Sequence, residues 1–203
     1  MYSANTLRPL FWTLFVVSLP AFGQKISRSG LGLKGGLQMA TTRTAMLRYD
    51  PVPGAVFGAY APIYAGARLE LQPELLLSAQ GSSIKPEEGI RQTLRLYYLQ
   101  LPINVKFYMT NVVNVQAGVQ AGRLLAANSD HEDVTELYQR MDIGLNLGAG
   151  MDLMQGLDLT LRYYSGLTPM LLDDDVLFPT NRTLQFTVGY RIMRFKHAGR
   201  RRR

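Results

Sequence analysis

LRLYYLQLPINVKFYM, residues Leu94–Met109, separates into two unlike sets of residues when it is read with a period of two. Alternate residues from Tyr97 are Tyr, Leu, Leu, Ile, Val and Phe, whereas those from Tyr98 are Tyr, Gln, Pro, Asn, Lys and Tyr. Because successive side chains of a strand point to opposite faces, the stretch predicts a β-strand with one apolar and one polar face. It is also longer than the usual strand of about 5–6 residues.

Seven further segments alternate in the same way, and none of comparable length has a helical period. They are Gly30–Met39, Gly54–Ala61, Ala67–Gly81, Val113–Arg123, Arg140–Leu153, Leu157–Gly166 and Thr183–Ile192. The chain is therefore predicted to be all-β, with eight strands.

The connections between these segments alternate between long and short. The long ones are Ala40–Pro53, Ser82–Ile90, Leu124–Gln139 and Thr168–Asn181, and the short ones are Pro62–Gly66, Met109–Val112 and Met154–Gly156. Short periplasmic turns and longer outer loops are typical of transmembrane β-barrels. An even number of strands leaves both termini at one side, which we expect to be the periplasm.

Alternation alone does not say which face is outside, because a soluble ligand-binding barrel of the lipocalin kind also alternates, with its apolar side inward. The outer face of such a barrel would be rich in Lys and Glu. Here the polar set is mostly Gly, Asn, Gln, Thr and Ser, which suits a narrow interior, and the apolar set suits lipid. We therefore predict an eight-stranded antiparallel up-and-down transmembrane β-barrel in the bacterial outer membrane.

The N-terminus has the layout of a secretory signal peptide. Leu10–Leu19 is an apolar stretch of ten residues, followed by Pro20 and by small residues before Gln24. Ten residues are too few for a membrane anchor, because a spanning helix needs about 20. We predict a signal peptide over residues 1–23, a barrel domain over 24–193 and a basic tail over 194–203.

Composition excludes several classes of protein. The chain has no cysteine, and so no disulfide, thiolate nucleophile or lipoprotein anchor is available. The formal net charge is +7, but seven positive charges lie at the C-terminal end, at Arg191, Arg194, Lys196 and Arg200–Arg203. The excess of positive charge thus lies in the tail, and no nucleic-acid partner is expected.

Several motifs resemble an outer-membrane barrel family typical of Bacteroidetes, the PorT-like group. LQPELLLSAQGSS (Leu71–Ser83) and YYLQLPINVKFY (Tyr97–Tyr108) are similar to its paired strand signatures, and three later stretches are similar to its later strands. These are Gln116–Leu125, Gly144–Leu153 and Leu161–Leu167. The resemblance implies an outer-membrane location and, in some relatives, a role in type IX secretion.

One set of charged residues is predicted to share the barrel interior, namely Arg68, Glu70, Glu74, Lys106 and Arg162. Two nearby carboxylates are compatible with a hydrolase in which one acid is protonated. The favoured interpretation is structural, because charges buried in a small barrel must be paired.

The remaining polar motifs predict neither a metal site nor a catalytic triad. Acidic loop residues at Asp130–Asp133 and Asp173–Asp175 lack calcium-loop spacing. The only histidines, His131 and His197, lie in a loop and in the tail, which argues against Ser-His-Asp catalysis.

Taken together, these features predict a non-enzymatic structural or interaction protein without cofactors, in contact with outer-membrane lipid and with protein partners in that membrane or the periplasm. The alternative is a transport role, as a narrow channel or a component of a secretion apparatus.

Overall fold

The computed structural model describes residues 29–44, 49–65, 68–84, 92–129, 132–153, 155–171 and 178–195, without the side chains of 84 and 92. The predicted signal peptide and all of the predicted tail after residue 195 lie outside these ranges. Within them, no helix is long and apolar enough to cross a membrane.

In the described part of the chain, ten strands form one sheet, and eight of them are long. The long strands are β1 (Gly30–Arg43), β2 (Asp50–Tyr60), β4 (Leu69–Ile84), β5 (Gln92–Tyr108), β6 (Val113–Ser129), β8 (Met141–Asp152), β9 (Leu157–Gly166) and β10 (Thr180–Arg194). Two short strands, β3 (Ile63–Tyr64) and β7 (Glu132–Asp133), pair with the ends of β4 and β6. A 3-10 turn at Thr135–Leu137 follows β7.

The sheet closes on itself, because every long strand pairs antiparallel with two others. The order around the barrel is β2, β1, β10, β9, β8, β6, β5 and β4, and pairing between β2 and β4 completes the ring. Closure leaves no free sheet edge, which a membrane-spanning sheet requires. The predicted eight-stranded antiparallel barrel is therefore confirmed.

The two ends of the barrel differ. The connections after β5 and β8 are tight, and the start of β1 and the end of β10 lie at the same end, which we call the short-turn end. There, Thr110 Oγ1 accepts from Val113 N at 2.9 Å, and Gly156 has a φ of 92°, a conformation that glycine adopts without strain. The opposite end, which carries the connections after β1, β4, β6 and β9, is the long-loop end.

Strand bounds agree best at the short-turn end and least at the long-loop end. β9 has the predicted bounds, whereas β1 and β6 continue to Arg43 and Ser129, inside segments predicted as loops. Main-chain pairing extends past the alternating pattern, because residues beyond the lipid need not alternate in polarity. Arg194, predicted to begin the tail, is instead the last residue of β10 and pairs with Gly30.

The two faces have the polarity predicted from the alternation. Leu147 on the outward face is 66% exposed, whereas Lys106 on the inward face is fully buried. The outward face also carries the predicted aromatic residues Tyr97, Phe107, Tyr163 and Tyr190, which are 38–56% exposed. This arrangement is the reverse of that in a water-soluble barrel, and the polar side chains therefore lie inside.

Candidate functional site

The barrel interior brings together four of the five predicted charged residues. Glu70, Glu74, Lys106 and Arg162 are all buried and point inward. Arg68 is a correction to the prediction, because its side chain is exposed. It precedes β4, and its carbonyl accepts from Tyr108 N at 2.9 Å. A residue outside the strand is not bound by the strand's inward and outward alternation.

Glu74 lies at the centre of the first interior group, which we call the Glu74 cluster. Arg162 donates to both of its oxygens, from Nη1 to Oε2 at 3.0 Å and from Nη2 to Oε1 at 2.7 Å. Lys34 Nζ donates to Oε1 at 3.0 Å, and Gln72 Nε2 does so at 2.6 Å. Two cations and a neutral donor thus surround one carboxylate, and the Lys34 ammonium also lies 4.9 Å from the centre of the Tyr60 ring.

Lys106 lies at the centre of a second group closer to the short-turn end, the Lys106 cluster. Its Nζ donates to Asp158, and it lies 3.3 Å from Asp152 Oδ1 and 3.9 Å from Glu70 Oε1. The Tyr108 hydroxyl bridges Glu70 and Asp152, with a distance of 2.9 Å to Glu70 Oε2. Three carboxylates and one phenol therefore converge near one ammonium group.

The charges of the two clusters balance. Their four cations are Lys34, Lys106, Arg162 and Arg191, and their four carboxylates are Glu70, Glu74, Asp152 and Asp158. Removing one member of a buried ion pair leaves the other charge unpaired, at a cost of about 3–5 kcal/mol. The arrangement therefore fills the interior with mutually paired groups.

Half of these charged residues were not among the predicted site residues, namely Lys34, Asp152, Asp158 and Arg191. Alternation placed each on the polar face of its strand. The missing information was the relative register of strands that are distant in sequence. That register is set only when the barrel closes.

Uncharged polar side chains occupy the middle of the barrel. Gln38 Nε2 donates to Ser78 Oγ and to the Ala79 carbonyl, both at 2.7 Å, and Gln185 Nε2 donates to Gln38 Oε1 at 3.2 Å. The cavity among these side chains and Gln100, Gln120, Asn146 and Arg162 is about 10 Å³. Such a volume is close to the minimum for one water molecule, so the middle layer has no room for a larger solute.

Apolar side chains close the interior at the long-loop end. Five residues form this group, which we call the Met170 cap: Leu96, Tyr98, Leu124, Ala127 and Met170. Met170 is held by main-chain bonds, since its carbonyl accepts from Gln139 N at 2.7 Å and its N–H donates to the Pro179 carbonyl at 2.8 Å. The loop after β6 and the loop after β9 thus meet over the barrel mouth.

One buried carboxylate, Asp142, lies just beneath the Met170 cap. It accepts from Asn181 Nδ2 at 2.9 Å and from Thr168 Oγ1 at 3.0 Å. Both of these donors are neutral, and through them Asp142 ties β8 to the start of β10 and to the loop after β9. It forms no ion pair among the residues that the structure describes.

The acidic loop residues that the structure describes show no metal-binding geometry. Within the described ranges, no three His, Cys, Asp or Glu side chains gather as they would around a metal ion. Asp133 instead accepts from the N–H and the hydroxyl of Thr135, at 2.9 and 2.6 Å. These bonds hold the pKa of Asp133 below its usual value. Asp173–Asp175, His131 and His197 lie outside the described residues.

A closed eight-stranded barrel with an apolar exterior and a charge-paired interior defines an integral outer-membrane protein of the β-barrel class. The chain belongs to the outer membrane protein beta-barrel domain family, which matches residues 20–172. An outer-membrane barrel family is thereby confirmed.

The chain is similar to solved structures at low sequence identity. Neisserial surface protein A is 14% identical, with a TM-score of 0.58 over 80% of this chain and 97% of that chain. Ail, the attachment invasion locus protein of Yersinia pestis, is 14% identical, with a TM-score of 0.47 over 80% of this chain and 98% of that chain. No curated protein matches the chain in sequence.

Proposed function

We propose that this protein is a non-enzymatic outer-membrane barrel with a structural or interaction role, and that it does not conduct solutes. The observation that carries the proposal is the filled interior. The Lys106 cluster, the Glu74 cluster, the uncharged polar side chains around Gln38 and the Met170 cap follow one another along the barrel axis. An eight-stranded barrel has an interior just wide enough for side chains, and here those side chains bond to one another.

We further propose that the short-turn end faces the periplasm and that the long-loop end faces outward. The start of β1 and the end of β10 lie at the short-turn end, and short periplasmic turns with longer outer loops are the rule for outer-membrane barrels. Within the family, the motifs at Leu71–Ser83 and Tyr97–Tyr108 favour the PorT-like group.

An interaction role is supported by the hydrogen bonds that hold the described parts of the loops after β6 and β9. The 3-10 turn at Thr135–Leu137 and the segment around Met170 are bonded to the barrel and not only to each other. Ala127 N, for example, donates to Thr135 Oγ1 at 2.8 Å. A preorganised surface loses little conformational entropy when a partner binds. We propose protein partners in the outer membrane, which this end can contact, or in the periplasm, which the short-turn end faces, and we propose no cofactor.

Conductance across a planar bilayer tests the proposal. The unaltered protein should give no discrete current steps, whereas Glu74→Ala combined with Arg162→Ala should allow current, because both central charges and their side-chain volume are lost. The double variant shows that insertion took place and that the assay can detect an opened interior. Steady current steps from the unaltered protein would contradict the proposal and favour the transport alternative, including a secretion component.

A further inference from the structure

The small cavity in the middle of the barrel is lined entirely by polar side chains. Every long strand except β2 contributes to this lining, so the cavity lies near the barrel axis. The lining residues Gln100, Asn146 and Arg162 are only 2–3% exposed, and water outside the barrel does not reach them. Their polar atoms must therefore be satisfied inside the closed barrel.

Some polar atoms of these lining residues have no hydrogen-bond partner among the described residues. They include Gln100 Oε1, Asn146 Oδ1 and Arg162 Nε. The other ends of two of these side chains are engaged, because Asn146 Nδ2 donates to Gln120 Oε1 at 3.3 Å and both Nη atoms of Arg162 donate to Glu74. The two amide oxygens and the Nε–H group are therefore the atoms left to contact the cavity.

The chemistry of these three atoms defines what the cavity can bind. The Nε–H of Arg162 belongs to a cation, which disfavours a metal ion or an ammonium group. The two amide oxygens are acceptors only, and they disfavour an anion. The bound molecule must therefore be neutral, accept one hydrogen bond and donate two. In a cavity of about 10 Å³, water is the molecule that meets these conditions.

We propose that one water molecule is bound in this cavity, where it accepts from Arg162 Nε and donates to Gln100 Oε1 and Asn146 Oδ1. Buried water molecules typically make about three hydrogen bonds, as this one does. The water joins β9 to β8 and to β5, and β5 is adjacent to neither of these strands in the sheet. It thus connects the Glu74 cluster to side chains across the interior. The site is independent of the proposed interaction role.

High-resolution crystal structures of the unaltered protein and of two methionine variants test the site. The unaltered protein should show one density peak within about 2.7–3.2 Å of Gln100 Oε1, Asn146 Oδ1 and Arg162 Nε. Gln100→Met removes one acceptor with little change in side-chain volume, and the peak should be lost from this variant.

Gln80→Met is the matched control. Gln80 is similarly buried and lines the same cavity, but its amide group already bonds to protein atoms. Its Nε2 donates to Ser78 Oγ at 3.3 Å, and its Oε1 accepts from Thr183 Oγ1 at 3.3 Å. The proposed water makes no bond to Gln80, so this variant should retain the peak.

Contrary results would overturn the site. These are the absence of a peak from the unaltered protein, or a strong anomalous signal there after a bromide soak, which would identify an anion site. Loss of the peak from both variants, or its retention in both, would contradict a water held by Gln100. If Gln100→Met does not fold, Gln100→Glu keeps an acceptor oxygen at this position and should retain the peak. Loss of the peak from the glutamate variant would then refute the acceptor role.

Discussion

Arg162 and Glu74 are 88 positions apart in the chain and meet inside the barrel through two parallel hydrogen bonds of 3.0 and 2.7 Å. Both side chains are almost wholly buried, so neither charge is compensated by water. The pair joins β9 to β4, two strands that are not neighbours in the sheet. It therefore braces the barrel across its interior.

Removal of either member of this pair should destabilise the protein strongly. Among the described residues, Arg162→Ala leaves Glu74 with Lys34 as its only cationic partner. We expect a loss of about 3–5 kcal/mol in the free energy of unfolding. A double-mutant cycle with Glu74→Ala, followed by urea unfolding in lipid vesicles, should give a coupling of about 0.5–3 kcal/mol. Arg95→Ala, at an exposed arginine, should change stability by less than about 0.5 kcal/mol. Additive effects of the two interior changes would show that the pair is not coupled.

A charge introduced on the outward face should destabilise the protein more near the middle of the membrane than near its edge. Leu101→Arg and Leu147→Arg place a cation in the middle of the apolar band, at a cost of about 2–4 kcal/mol. Met109→Arg lies just beyond β5 at the short-turn end and should cost about 0–1 kcal/mol. The measurement is the folded fraction, from the different migration of unheated and boiled samples in gel electrophoresis. Equal tolerance at all three positions would mean that this face does not contact lipid.

Two adjacent glycines of β1 should differ in their response to alanine. A Cβ atom at Gly36 would lie 1.9 Å from the Phe186 carbonyl oxygen of β10, whereas one at Gly35 would have its nearest neighbour at 3.5 Å. Gly36→Ala should therefore force the two strands apart and cost about 1–3 kcal/mol, the usual range for overpacking. Gly35→Ala is the control and should be close to neutral. Urea unfolding of the two variants decides the matter, and similar midpoints would contradict the close approach of β1 and β10.

The loop after β6 should loosen in acid. Hydrogen bonds from Thr135 lower the pKa of Asp133 from the usual 3.8, so the ionised form is favoured in the folded loop. The resulting stabilisation is present above pH 3.8 and is lost as the pH falls through the lowered pKa. Asp133→Ala should speed hydrogen exchange at the Thr135 amide at neutral pH, whereas Glu132→Ala, one residue earlier, should not. A carboxyl titration of Asp133 with a midpoint at or above 3.8 would refute this.

Period-two alternation was sufficient to predict the strands and their two faces. The composition of those faces was sufficient to predict that the apolar one contacts membrane lipid. A strand such as Leu94–Met109 carries this information locally, because each side chain is assigned to a face by its parity alone. The alternating loop lengths then predicted antiparallel closure. Strand ends were less well predicted at the long-loop end, since β1 and β6 continue where the side chains no longer need to suit lipid.

The partners within the interior depended on the closed barrel. Parity placed Lys34, Lys106, Asp152 and Asp158 on polar faces, but it carries no information about which of them lie at the same height. That depends on the stagger of eight strands, and a shift of two residues preserves every face while changing every partner. The Met170 cap could not be predicted for a related reason, because Leu96 and Met170 meet only after the loops fold back over the barrel mouth. The local sequence thus determines whether a side chain faces lipid or the barrel interior, whereas the pairing of buried charges depends on the whole closed barrel.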